Sequence, residues 1–199
     1  SDKTGTLTRN EMTVGVVVTA GGRIAVEGTG YAPAGGFTLG GRPLDPAADP
    51  VLEELALAAL LCNDADLRHG ETGWIVDGDP MEGALVSLAL KAGHDAAAAR
   101  AGFPRLDEIP FDARHRFMAT LHARPGRQPS AFVKGAPERI LAMCARVATG
   151  EGDAPLDPAP LLVSTPGVYT VTVDTAIVSS VGVGVLADTP LATPPVDVQ

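Results

Sequence analysis

Several things are scarce in this 199-residue chain. Aromatic residues make up 4% of it, and lysine, arginine and histidine stop altogether after Arg146. The formal net charge is -9, which excludes the basic face that nucleic-acid binding requires. No apolar run approaches the roughly 18 residues of a membrane-spanning helix. The first residues lack a basic stretch followed by an apolar one, the pattern of a secretory leader. Two cysteines, Cys62 and Cys144, lie far apart and without metal-ligand spacing. They read as free thiols of a reducing compartment rather than as a disulfide.

What is present is a globular composition, 45% hydrophobic, long enough for one domain or slightly more. Residues 1–12 are polar and Thr-rich. Residues 13–150 alternate strand and helix signals. The stretch 12–30 reads as two strands turning at Gly21-Gly22, and 30–43 as a loop punctuated by Gly and Pro. The stretch 49–63 reads as a helix capped by Asp49 with Pro50 in its first position, and 79–93 as a second helix stopped by Gly93. Strands are predicted at 73–78, 105–111, 116–123 and 130–135, and a third long helix at 136–147. Unequal helices between several strands imply an α+β fold, a mostly antiparallel sheet flanked by helices. Residues 151–199 form a Val-, Thr- and Pro-rich tail that either adds strands or stays outside the fold. Within it, Gly182-Val-Gly-Val-Leu-Ala187 has the spacing of a dinucleotide fingerprint, but Pro190, Pro194 and Pro195 forbid the helix that would have to follow. A strand of small residues is the better reading.

Four stretches carry chemistry. The chain opens Ser-Asp-Lys-Thr-Gly-Thr-Leu-Thr. Asp2 could attack a γ-phosphate and hold it as an acyl phosphate, with Thr4, Gly5 and Thr6 around the phosphoryl oxygens. The same residue types also make an ordinary polar turn. In Gly78-Asp-Pro-Met-Glu-Gly-Ala-Leu85, Asp79 caps a helix, Pro80 starts it and Glu82 can reach back to the cap amide. In Ile109-Pro-Phe-Asp-Ala-Arg-His-Arg-Phe-Met118, the residues by themselves read as a core aromatic at Phe111 and a solvated strand charge at Arg116. In Phe132-Val-Lys-Gly-Ala-Pro-Glu138, a strand ends at Lys134 and a helix starts at Pro137, while Gly135 leaves room for a ligand.

In this order the four stretches resemble the P-type ATPases, the ATP-driven pumps of cations and lipids. "DKTGTLT" is similar to their phosphorylation motif, and to the first motif of the wider dehalogenase-like phosphotransferases. "GDPMEGAL" resembles a motif of their nucleotide-binding domain, with Met81 where Thr is usual. "FDARHRFM" and "KGAPE" resemble two further segments of that domain, with Arg116 where many members have Lys. "TRNEMTV", "GTGYAP" and "LCNDA" look like calcium-pump-type members.

The resemblance implies Asp2 as the phosphorylated aspartate, with Lys3 and Thr4 beside it and Mg²⁺ near Asp2 and Thr4. It implies an adenine pocket of Glu82, Phe111, Arg116, Met118, Lys134 and Gly135 for ATP. Thr4 occupies a position where many dehalogenase-like enzymes carry an acid–base Asp, so an acyl phosphate should persist. The expected division is 1–12 as the start of a phosphorylation domain, 13–150 as the nucleotide-binding domain, and 151–199 outside the resemblance. The expected partners are the adenine nucleotide and the phosphorylation and actuator domains of a longer pump. The chain would be a cytoplasmic part of an integral membrane protein, with no span of its own. A strand is expected before Ser1 in that pump, so the piece alone should bind nucleotide without turnover. The alternatives are a free-standing dehalogenase-like phosphatase or phosphotransferase, and a non-catalytic interaction domain.

Overall fold

A computed structural model describes residues 11–71 and 73–157, together with the backbone of 168–172 and 178–183. Asp2, Lys3 and Thr4 lie outside the described residues.

The first elements among the described residues form a hairpin, β1 (Val16–Thr19) and β2 (Gly22–Val26). Thr19 pairs with Gly22, so the turn is Ala20-Gly21, one residue earlier than the sequence implied; Gly22 takes φ +129°. A second hairpin, β3 (Phe37–Leu39) and β4 (Arg42–Leu44), occupies a stretch whose sequence reads as loop. Its turn residues Gly40 and Gly41 both have positive φ, 58° and 78°, the backbone that a tight hairpin turn demands. Pro43 is tolerated because β4 is the sheet edge.

Helix α1 (Pro50–Leu61) starts as expected, with the Asp49 carboxylate accepting from Val51 N and Leu52 N. It is buried almost all round, because it lies between the sheet and helix α2 (Pro80–Lys91). Between them, β5 (Asp66–Gly70) and β6 (Gly73–Asp77) form a separate antiparallel pair. Short helix α3 (Ala96–Gly102), capped by Asp95, follows α2. Then come β7 (Arg105–Asp112), β8 (Phe117–Arg124) and β9 (Arg127–Gly135), the three strands that the sequence marks out.

Helix α4 (Pro137–Met143) is shorter than the helix expected at 136–147. Arg146 and Val147 instead enter β10 (Arg146–Thr149), which turns at Gly150-Glu151 into β11 (Gly152–Pro155). Cross-strand pairing outweighs helix propensity once this turn brings the two arms together. The later strands β12 (Val168–Thr172) and β13 (Val178–Val183) join the same sheet. Part of the tail thus adds strands; of the stretch 182–187, Gly182 and Val183 lie in β13 and the rest lies outside the described residues.

The main sheet runs β4-β3-β2-β1-β12-β13-β9-β8-β7, with β10 beside β12 and β11 beyond β10. Only the β1–β12 and β13–β9 pairings are parallel among the described residues; the rest are antiparallel. The α+β expectation with a mostly antiparallel sheet holds. One face of the sheet buries Val17, Ile24, Met118 and Phe132 against α1 and α2. The other buries Val18 and Val133 against Ile140 and Leu141 of α4. No helix among the described residues is long and apolar enough to cross a membrane.

Candidate functional site

The start of α2 shows why Glu82 is available for other chemistry. Pro80 at the first position has no N–H to satisfy. The Asp79 carboxylate takes the next two amides, Met81 N at 2.8 Å and Glu82 N at 3.3 Å. The cap is therefore filled, and Glu82 does not fold back to complete the capping box that its spacing permits. Its carboxylate instead accepts from Asp64 N at 3.1 Å and from the ammonium of Lys134.

Lys134 reaches that carboxylate from β9. It pairs across the ladder with Met118 of β8, and Met118, Thr120 and His122 alternate into the buried face. Lys134 is 6% exposed, and the side chains of the ion pair are 7% and 14% exposed. A buried ammonium without a partner would be costly, and Glu82 supplies that partner. Beneath it, the Cys62 thiol donates to Met118 O at 3.7 Å. Burial pushes this thiol up from its ordinary value, and the nearby Lys134 charge partly opposes that. Cys62 is a free thiol, as expected, and the Cys144 thiol donates to Ile140 O at 3.1 Å.

Phe111 stands on β7, two strands from Lys134. The ladder between β7 and β8 shifts register between the Ile109–Ala119 and Asp112–Phe117 pairs. Pro110 and Phe111 fill that bulge, in the stretch facing Met118, which in turn faces Lys134. With strands about 4.8 Å apart, the β7 and β9 backbones lie about 10 Å apart there. Phe111 is 64% exposed and is not the core residue that one reading of the sequence allowed. A large aromatic with so much open surface, on the same ladder as the buried ion pair, is suited to stacking on a planar ligand.

Arg116 and Gly135 sit at the same end of the sheet but in another arrangement. Residues 112–116 form a tight turn in which Asp112 O accepts from His115 N and Arg116 N, and the Asp112 carboxylate accepts from Arg114. Arg116 has φ +58°, the one positive φ outside glycine among the described residues. Its guanidinium meets Glu138 of α4 at 2.6 Å, with both side chains more than half exposed. Gly135 has a different reason from the one its position suggested. A Cβ there would lie 2.3 Å from Arg116 O and 2.7 Å from Phe117 Cα, so the glycine lets β8 and β9 close together; space for a ligand is not what it provides.

Three further residues of the site are not among the candidate site residues of the sequence. Asn63 is buried; its amide donates to Ala59 O (3.0 Å) and Glu82 O (2.9 Å), and its oxygen accepts from Ala65 N (2.8 Å). Asp64 supplies the amide that holds Glu82. Arg105, at the start of the strand that carries Phe111, donates to Leu61 O (3.2 Å), Asn63 O (2.7 Å) and Asp64 (2.8 Å). A polar pair directly after an apolar helix is a fair signal for such a clamp, whereas Arg105 has no signal at all.

The structure therefore brings Glu82, Met118 and Lys134 together, with Phe111 on the neighbouring strand. It turns Arg116 toward α4. No group of three or more His, Cys, Asp or Glu side chains that could hold a metal occurs among the described residues.

A family model described as P-type ATPase, cytoplasmic domain N, matches residues 51–160. The chain is 45% identical over 157 residues to the cation-transporting ATPase pma1 of Synechocystis sp., covering 76% of this chain and 17% of that protein. It is 33% identical over 147 residues to a calcium-transporting ATPase of Bacillus subtilis, covering 74% of this chain and 16% of the relative. It is 37% identical over 148 residues to the calcium-transporting ATPase type 2C member 1 of Bos taurus, covering 72% and 15%. The chain thus spans well under a fifth of the length of these relatives.

Proposed function

The chain belongs to the P-type ATPase family, in its cytoplasmic domain N, and on that premise we propose that residues 13–150 bind adenine nucleotide for a cation pump. The observation that carries this reading is the buried Lys134–Glu82 pair, with Met118 across the ladder from Lys134 and the exposed Phe111 one strand further along the same ladder. These residues come from three separate sequence motifs and meet at one end of the β7–β9 ladder.

The chemistry of the group fits a purine. Phe111 offers a face on which the ring stacks. Glu82 is an acceptor for an exocyclic amine, and Lys134 is a donor for a ring nitrogen or a ribose oxygen. The pair cancels its own charge, so recognition is by hydrogen bonding and stacking more than by net attraction. Met118 forms the apolar floor. Arg116, held by Glu138 through an exposed pair, can exchange that partner for a phosphate at little cost. Gly135 contributes through the strand closure it permits.

In the whole pump, Asp2 is the proposed acceptor. A carboxylate oxygen attacks the γ-phosphorus, ADP leaves, and water later hydrolyses the acyl phosphate as the cation crosses the membrane. Lys3 and Thr4 assist at that end. Mg²⁺, when bound there, neutralises charge on the phosphates; Asp2 and Thr4 are its proposed ligands. The described residues supply recognition of the adenosine end, so the chain by itself is expected to bind nucleotide without turnover. The phosphorylation and actuator domains are its proposed partners, and the cytoplasmic side of the membrane its proposed place. Residues 1–12 then belong to the phosphorylation domain, and the family match runs to residue 160, past the expected end of the nucleotide-binding domain at 150.

Calorimetric titration tests this reading. ATP and ADP should give saturable heat with this chain, and tripolyphosphate should not compete. Phe111→Ala should weaken binding about tenfold or more, the usual worth of a stacked base. No saturable heat, or equal affinity in Phe111→Ala, would refute it.

A further inference from the structure

The turn between β2 and β3, residues 27–36, is bonded on two sides. Toward the start of the chain, Thr13 Oγ1 donates to Gly30 O at 3.3 Å and Met12 N donates to the Tyr31 hydroxyl at 3.2 Å. Toward helix α2, that same hydroxyl donates to Pro80 O at 3.4 Å. Ser87 Oγ donates to Ala32 O at 3.5 Å, and Lys91 Nζ donates to Glu27 O at 3.0 Å. The turn is stiff: a Cβ at Gly28, φ +98°, would lie 2.2 Å from Ala34 O, and one at Gly35, φ +120°, would lie 2.2 Å from Glu27 O. Tyr31 itself is 7% exposed, with its ring in the main core.

One buried hydroxyl thus acts as acceptor for Met12 and donor to Pro80. Pro80 is the first residue of α2 and lies two residues before Glu82. Met12 lies ten residues after Asp2. We propose that Tyr31 is a positioning residue that couples the segment at 11–13 to the nucleotide site through the α2 start. This rests on the nucleotide-binding reading above. A shift of residues 11–13 bears on Tyr31, and through Pro80 on the backbone that aims Glu82 at Lys134. Coupling of this kind is reciprocal, so nucleotide at Glu82 and Lys134 must change the state of Met12 by the same factor. Both bonds are long for their type, so the coupling is small, about two- to fivefold.

The test is site-resolved amide exchange on this chain, with and without ATP, for the wild type and for Tyr31→Phe, which keeps the ring and removes only the oxygen. In the wild type, ATP should slow exchange at Met12 as well as near Glu82 and Lys134. In Tyr31→Phe the response at Met12 should vanish, the response near Lys134 should persist, and ATP affinity should fall about two- to fivefold. Ser87→Ala, which removes a neighbouring bond of the same turn, should leave the Met12 response in place. Met12→Pro removes the donor from the other end and should lower ATP affinity by a factor similar to Tyr31→Phe. If ATP slows exchange near Lys134 while Met12 stays silent in the wild type, or if Met12 still responds in Tyr31→Phe, the coupling is wrong and the nucleotide site stands. If ATP changes nothing near Glu82 and Lys134, the nucleotide reading falls and takes the coupling with it.

Discussion

Helix α2 starts Asp79-Pro80-Met81-Glu82, and helix α4 starts Ala136-Pro137-Glu138. Each has proline in its first position and a glutamate in its first turn. Each glutamate pairs with a basic residue at the β8–β9 end of the sheet. The outcomes differ. At α2 a side-chain cap satisfies the amides, and the Glu82–Lys134 pair is buried on the α1–α2 side. At α4 no side chain caps the helix, and the Glu138–Arg116 pair stands in solvent. The same local grammar gives a fixed polar site in one place and an exchangeable surface pair in the other. Burial decides which, since an ion pair in water is worth little and a broken pair in the interior costs much.

That contrast can be broken most severely at the buried pair. Glu82→Ala leaves the Lys134 ammonium unpartnered inside the fold and should cost about 3 kcal/mol of stability in denaturant unfolding. The double variant Glu82→Leu with Lys134→Met should recover most of that loss, because similar-sized apolar side chains replace both charges. It should nevertheless fail to bind ATP. Recovery of stability without recovery of binding would separate the pair's structural role from its proposed recognition role.

A smaller effect lies deeper on the same face. His122 is 2% exposed and donates from Nδ1 to Phe103 O at 2.8 Å. Burial holds its pKa below the ordinary 6.5; the Phe103 carbonyl opposes this, and the facing Arg105 and Arg124 add to it. The native state therefore favours the neutral ring. Below about pH 6.5 the unfolded chain binds a proton that the folded chain refuses, so stability should fall as pH drops from there toward the folded value. His122→Gln should flatten that slope in unfolding curves between about pH 6.5 and 5. The smallest effect belongs to α4: Glu138→Ala should change stability by no more than about 0.5 kcal/mol, and should leave ATP affinity unchanged or slightly raised as Arg116 is released.

The parts legible in the sequence were those with strong local rules. Asp49-Pro50 and Asp79-Pro80 announce their helices, and the apolar alternation of 116–123 announces β8. Glu82, Phe111, Met118 and Lys134 could be singled out by motif, but nothing in a one-dimensional pattern says that Glu82 and Lys134 touch across 52 positions. Arg105 acts through main-chain carbonyls, which leave no trace in residue type, whereas Asn63 at least sits in a polar pair after an apolar helix. The β3–β4 hairpin gives little sequence signal because three-residue arms are too short to show alternation, although Gly40-Gly41 marks its turn. Strand β5 gives none because Asp66-Leu-Arg-His-Gly70 is polar and pairs outside the main sheet. Helix α4 ends earlier than its sequence suggests because Ala145-Arg146-Val147 suits a helix locally and is claimed by the β10–β11 hairpin. At Gly135 the close approach of β8 and β9 explains the glycine, and no residue pattern along one strand shows that.

The central claim is that Glu82, Met118, Lys134 and Phe111 form one nucleotide pocket. The most direct measurement is a resonance-by-resonance titration of this chain with ATP. The account predicts saturable shifts centred on these four residues and on Asn63 and Asp64, with a smaller change at Arg116 and Glu138 as their exposed pair opens. Shifts centred elsewhere, or none at saturating nucleotide in a folded sample, would contradict it.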